Sequence, residues 1–276
     1  MSRPSPLRPG PLAVLVFVVL VSAVQLLPFY VALTTALKPK TDLSSQLAFP
    51  TSTLTLDNFL TAVSTGGIVQ AMLNSAVITL VSTFLVCVIG AFAAYPLARR
   101  ASGLNRAVMA LVVGLMMVPA LSILVPLYSL LADLDLLNTH HGVILVMVAT
   151  SLPLSIFLYA NFMRSLPISV EEAATVDGAN VLQLLWHVVI PMLRPVTATV
   201  AILTGVGVWN EYALSGYILT TPETRTIAPA IASFFSIQSS NLPAATAASL
   251  LAVVPVVVAY LFLQRHFMKG LAGAEK

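Results

Sequence analysis

Long apolar runs separated by short polar stretches set the pattern of this chain. Four runs hold no Asp, Glu, Lys, Arg or His: Pro11–Leu37, Ala71–Ala98, Ala107–Ala132 and Gly142–Met163. A fifth, Pro195–Leu219, holds one acid, Glu211, and a sixth, Ala244–Leu263, holds none. A helix needs about 20 apolar residues to cross the hydrocarbon of a bilayer, and each run meets that length. In lipid every backbone N–H and C=O must find a partner within its own segment, so the runs read as helices and not as strands. The pattern predicts an all-α integral membrane protein with six transmembrane helices. The first run is longer than the ~7–15-residue core of a signal peptide and has no clear small-residue cleavage site, so it reads as an anchor helix.

Composition agrees. The chain is 58% hydrophobic and only 8% charged, with a mean hydropathy of +0.97, which excludes an ordinary soluble domain. The domain plan that follows is a tail at 1–10, a six-helix membrane domain at 11–268 and a second tail at 269–276. The single cysteine, Cys87, falls inside an apolar run, and C-x-x-C metal spacing is absent.

Charge gives the expected orientation. Six spans place both termini on one side, with Arg3, Arg8, Arg99, Arg100, Arg106, Arg164, Arg194, Arg265, Lys269 and Lys276. The other side carries only Lys38, Lys40 and Arg225. Basic residues collect on the cytoplasmic side of inner-membrane proteins, so both termini and the loop 164–194 are expected in the cytoplasm. The net charge of +3 follows from this bias and carries no nucleic-acid signal.

That loop reads "RSLPISVEEAATVDGANVLQLLWHVVIPMLRP" over 164–195. Pro167 suits a helix start, Ser169 is placed to cap, and Glu171 and Glu172 favour the first turn. Ala173 and Ala174 continue a helix that Asp177-Gly178 ends, since Gly tolerates the left-handed conformation there. Asn180 is placed to cap a second helix, Val181–Ile190, which is expected to stop at Pro191. Its apolar stripe would be Leu182, Leu185, Trp186 and Val189. The acids admit three readings: a solvated loop, a knob that docks on a partner, or a carboxylate pair for acid–base chemistry. Adjacent helical residues point about 100° apart, which disfavours the last.

Within the spans, polar residues mark a candidate substrate path. Glu211 is the one acid inside an apolar run, and such groups face a cavity or a partner because lipid exposure is costly. Trp209 and Asn210 adjoin it. Ser151, Ser155 and Tyr159 lie four apart on one stripe of the fourth run, where helix–helix contact is the competing reading. Pro119, Pro126 and Pro153 permit kinks. His140 and His141 are not read as a metal site.

The motif Glu172-Ala173-Ala174, Asp177-Gly178-Ala179 and Ile190-Pro191 resembles the EAA loop of ABC importer permeases. "LLNTHHGVIL" (136–145), "SLPLSIFLYANFMRSLP" (151–167), "WNEY" (209–212) and "QRHFMKGLAGA" (264–274) are similar to the carbohydrate-uptake branch, in particular to the second permease of maltose- and glycerol-phosphate-type importers. The likeness covers roughly residues 15–274. Departures are Val188, where the family more often has Ile, and the ending Glu275-Lys276.

The resemblance implies a type I ABC importer permease fold and no enzyme activity of its own. It implies that Glu171, Glu172, Ala173, Ala174, Asp177, Gly178, Ala179 and Pro191 couple the chain to an ATPase. The implied partners are a second related permease, two copies of an ABC ATPase that uses ATP-Mg, an extracytoplasmic solute-binding protein and a sugar, with membrane lipid around the bundle. No cofactor is expected on this chain, which lacks the G-x-x-x-x-G-K-[ST] phosphate loop. Three other readings stay open: a proton- or sodium-coupled secondary transporter, a membrane enzyme, and an ABC permease for a non-sugar solute.

Overall fold

Each apolar run folds mainly as helix, with interruptions inside the third and the fifth. A computed structural model describes residues 11–42, 44–51, 53–236 and 239–272. The expected tails at 1–10 and beyond 272 lie outside the described residues, while 269–272 continue the last helix. The chain divides into two units, Met1–Gly66 with Phe234–Leu251, and Gly67–Ser233 with Ala252–Lys276.

In the first unit, helix α1 spans Pro11–Ala36 and α2 spans Asp57–Ser64. The buried amide of Asn58 donates to Ala36 O at 2.8 Å and Lys38 O at 2.7 Å, which ties α2 to the end of α1. Lys38 is itself buried, and its ammonium donates to Ser45 O at 2.6 Å and Ser44 Oγ at 2.9 Å. A minimal antiparallel ribbon pairs β1, Phe235–Ser236, with β2, Ser239–Ser240.

In the second unit, α3 is a single helix over Ile68–Arg99. Helix α4 runs Gly103–Leu115, α5 runs Leu124–Asp133 and α6 runs His140–Ser165. Ser102 caps α4 by accepting from Asn105 N at 3.1 Å, and Thr139 caps α6 by accepting from Gly142 N at 3.2 Å. Then come α7, Ser169–Val176, α8, Val181–Met192, and α9, Arg194–Trp209. Two short helices follow: α10, Ala213–Ile218, and α11, Ile227–Ala232. The last helix, α12, covers Leu242–Ala272, of which 242–251 belong to the first unit and the rest to the second.

The core has two parts. Val86, Ala94, Leu97, Tyr159, Ala160 and Met163 of α3 and α6 pack with Leu184, Leu185, Val189, Val196 and Val200 of α8 and α9 and with Leu193 at their junction. Farther along the helices, Ile78, Leu131, Val143, Met147, Val208, Leu214 and Ile218 form the second part. Small residues allow close helix approach, as membrane helices require. A Cβ on Gly205 of α9 would stand 3.6 Å from Thr83 Oγ1 on α3.

Among the described residues, four helices are long and apolar enough to span a membrane, and up to six spans result when each of two bent pairs counts as one. The first bend is of the kind that Pro119 permits, and the second lies between α8 and α9, at Leu193. The expected third span, Ala107–Ala132, is broken after α4, and Gly103–Leu115 meets Ala120–Asp133 at 96°. Pro119 has no N–H to continue a helix and sits extended (φ −63°, ψ 130°), followed by a tight 3-10 turn at Ala120–Ile123. The expected fifth span, Pro195–Leu219, stops at Trp209 and resumes at Ala213. Pro126 falls in the first turn of α5, and Pro153 stays inside an unbroken α6.

Helix α8 also departs from expectation. It does not stop at Pro191 but continues to Met192 through a π-helical turn at Leu185–Val189. The wider turn accommodates a proline, whose ring would otherwise press on the preceding turn. The extra residue rotates the face: Leu184, Leu185 and Val189 are buried, while Leu182 and Trp186 are exposed. Trp186 instead stacks against Phe92 of α3, with ring centroids 6.5 Å apart.

Candidate functional site

The loop between α6 and α9 forms a compact knuckle, and each of its turns has a local cause. Leu166 precedes Pro167 and is pushed to an extended conformation (φ −79°, ψ 141°), which ends α6. The cap of α7 is Ile168, which offers no side-chain oxygen, so Ser169 is the first helical residue and not the cap. At the other end, Gly178 adopts φ +86°. Its N–H donates to Thr175 O at 3.1 Å, and Ala179 N donates to Ala174 O at 3.0 Å. This pair of bonds closes a Schellman turn, for which a residue without a Cβ is favoured. Asn180 then starts α8 with a capping box. Its Oδ1 accepts from Gln183 N at 2.9 Å, while Gln183 Oε1 accepts from Asn180 N at 3.0 Å.

The two glutamates of the knuckle part company. Glu171 is buried and points inward. Its Oε1 accepts from Arg99 Nε at 2.8 Å and also from Arg99 Nη2, and its Oε2 accepts from Tyr95 Oη at 3.0 Å. Glu172, about 100° further round, is exposed. With it on the outer surface lie Ala173, Thr175, Val176, Asp177 and Gly178. Ala174 and Ala179 are half-buried beneath this surface, and Pro191 is exposed within α8. A shallow groove lined by Asp177, Gly178, Ala179, Gln183, His187 and Val188 runs beside the turn.

The in-span residues differ in burial and in partners. Ser155 is buried and donates to Val86 O at 3.2 Å, packed against Gly90. Tyr159 is fully buried and donates to Thr197 Oγ1 at 3.0 Å. Both serve helix-to-helix contacts here, and Ser151 is half-buried on the same stripe. Trp209 is buried within the chain, whereas Asn210 is exposed and bonded to Val206 O at 2.9 Å. The carboxylate of Glu211 accepts from Leu214 N and Ser215 N, both at 2.7 Å. Its charge is thus met by the first free amides of α10, as a helix N-terminus favours. No three of His, Cys, Asp and Glu converge as metal ligands among the described residues.

Residues 86–273 match the family described as the binding-protein-dependent transport system inner membrane component. The chain belongs to this family. It is 40% identical over 259 residues to the melibiose/raffinose/stachyose import permease protein MelC of Bacillus subtilis, covering 93% of this chain and 94% of the relative. It is 31% identical over 260 residues to the trehalose transport system permease protein SugB of Mycobacterium tuberculosis, covering 93% and 94%. A crystal structure of a bacterial ABC transporter for import of the acidic polysaccharide alginate contains a chain of the same fold. Its TM-score is 0.79 at 21% identity, over 96% of this chain and 100% of that one. The permease is therefore a multi-pass inner-membrane subunit of the ABC importer type and not an enzyme. The ion-coupled transporter and the membrane enzyme left open by the sequence are set aside.

Sequence reasoning missed the partners of Glu171. Tyr95 and Arg99 lie four apart at the end of the α3 run, a spacing that puts both on one helix face, and that was the available signal. It also missed Thr79, Ser82 and Thr83, a short hydroxyl stripe on α3. Their side-chain oxygens are buried and have no hydrogen-bond partner among the described residues.

Proposed function

We propose that this permease imports a sugar or oligosaccharide, and that the knuckle at 169–192 receives the stroke of an ATP-binding subunit. The observation that carries the docking role is the division of the knuckle. Small and acidic residues, Glu172, Ala173, Asp177 and Gly178, face outward from a turn closed by two caps. Small side chains allow close backbone approach, and exposed carboxylates suit a basic cleft. Two relatives named for sugars support the substrate class.

The bias of basic residues supports a cytoplasmic location for both termini and for the knuckle. The membrane domain then covers 11–268, with cytoplasmic tails on either side. The complete importer comprises this chain, a second related permease, two ATP-binding subunits that use ATP-Mg, and an extracytoplasmic solute-binding protein. Closure of the ATPase pair drives the two knuckles together and rocks the spans from inward- to outward-facing.

The test is uptake in proteoliposomes containing all partners, screened against mono- and disaccharides. Gly178→Pro and Glu172→Arg should leave membrane insertion intact and cut uptake per ATP hydrolysed at least tenfold. Proline cannot adopt φ +86°, and the arginine reverses the exposed charge. Wild-type uptake in both variants refutes the docking role. Labelling of Val176→Cys by an impermeant thiol reagent should occur only in inverted vesicles.

A further inference from the structure

Glu171 and Glu172 are neighbours in sequence with opposite surroundings, and the difference assigns Glu171 a separate task. Both of its carboxylate oxygens are engaged by this chain, with Arg99 on one and Tyr95 on the other. The side chains of the ion pair are 9% and 11% exposed, so neither is available to a partner protein. Both donors sit in the final turns of α3, the 32-residue helix that runs through both parts of the core. The same turns are tied to the end of α6, where Arg164 Nη2 donates to Leu97 O at 3.2 Å.

The knuckle is otherwise bounded by weak points. Leu166 is extended before it and Gly178 sits in a left-handed turn within it. Such positions absorb backbone rotation in hinge motions. A push on the exposed face would bend the chain at these points unless α7 were fastened to something stiff. Resting on the docking role proposed above, we infer that Glu171 is a positioning residue: with Arg99 and Tyr95 it rivets α7 to the end of α3, so that knuckle and helix move as one body. Glu172 meets the partner, and Glu171 carries the displacement inward.

The test measures rigidity directly and needs no substrate. Nitroxide labels are placed at Val69→Cys, at the start of α3, and at Val176→Cys on the knuckle, both exposed positions, in a Cys87→Ser background. Double electron–electron resonance is recorded on the assembled importer in nanodiscs, with and without ATP and vanadate. With Glu171 and Arg99 intact, one narrow distance distribution is expected, the same in both states. In E171A, R99A and the E171A/R99A double variant it should widen at least twofold and shift on trapping. Y95F, which loses one hydrogen bond, should widen less, and it serves if the other variants fail to assemble. Distributions in E171A, R99A and Y95F as narrow as the parent's, in both states, overturn the rivet. A separate arm distinguishes the two ideas. If E172R still retains the ATP-binding subunits on purification and supports normal uptake, the docking role fails, whatever the distances show. If E172R loses them while E171A stays narrow, only the rivet fails.

Discussion

The two ends of α3 are fastened by different chemistry. At its C-terminal end a buried ion pair, Arg99 with Glu171, holds the knuckle. Near its N-terminal end the ties are neutral: Asn74 Nδ2 donates to Glu223 O at 2.8 Å and Arg225 O at 2.9 Å. Beside it, Ser75 Oγ accepts from Ile227 N at 2.8 Å. Amide and hydroxyl ties are short-ranged and satisfy loop backbone that would otherwise be buried unpaired. An ion pair out of water is costly to form, and removing one partner strands the other as a buried charge. The neutral end can therefore lose one tie without stranding a charge, and the charged end cannot.

The largest effect should come from breaking the charged end. Arg99→Met leaves the Glu171 carboxylate buried without its counter-charge, an expected loss of about 3–5 kcal/mol, read as a fall in the thermal midpoint of the purified complex. At the neutral end, Asn74→Ala removes the donor of two hydrogen bonds to main-chain carbonyls, and a loss of about 1–3 kcal/mol is expected in the same measurement. A result in which Asn74→Ala costs more than Arg99→Met would invert the comparison.

The smallest effect concerns a carboxylate in the loop after α1. Asp42 Oδ1 accepts from Ser44 N at 2.8 Å and Oδ2 from Thr53 Oγ1 at 2.9 Å. Chiefly through the bonds from Ser44, then that from Thr53, its pKa lies below the ordinary aspartate value of 3.8. A depressed carboxylate pKa stabilises the fold fully above the unfolded value and loses that contribution only as pH falls through the folded one. Asp42→Asn should therefore speed hydrogen exchange of the Ser44 amide at neutral pH. The difference from the parent should vanish well below pH 3.8.

Much of this was legible in the chain. The apolar runs located the helices, because a run's length and lack of charge are local properties. The knuckle could also be read, since Gly178 and Asn180 act on their immediate neighbours. What escaped depends on distant or cooperative geometry. That Glu171 turns in while Glu172 turns out is decided by Arg99, which lies 72 residues earlier in the chain. The stripe Leu182, Leu185, Trp186 and Val189 assumed a regular helix, and one π turn moved the buried face to Leu184, Leu185 and Val189. A kink at Pro119 was legible, but hydropathy registers how long a stretch is apolar and not how far its axis turns, here by 96°. Glu211 drew attention as a lone acid, and its partners proved to be amides three and four residues on, which every sequence contains.

The angle between α8 and α9 has a mechanical corollary. The two helices share the junction at Leu193 and diverge by 76°. A thrust along the axis of the first arrives almost crosswise on the second, as in a bell crank. Under the proposed docking role, an elbow of this shape would convert motion parallel to one rod into a swing of the other.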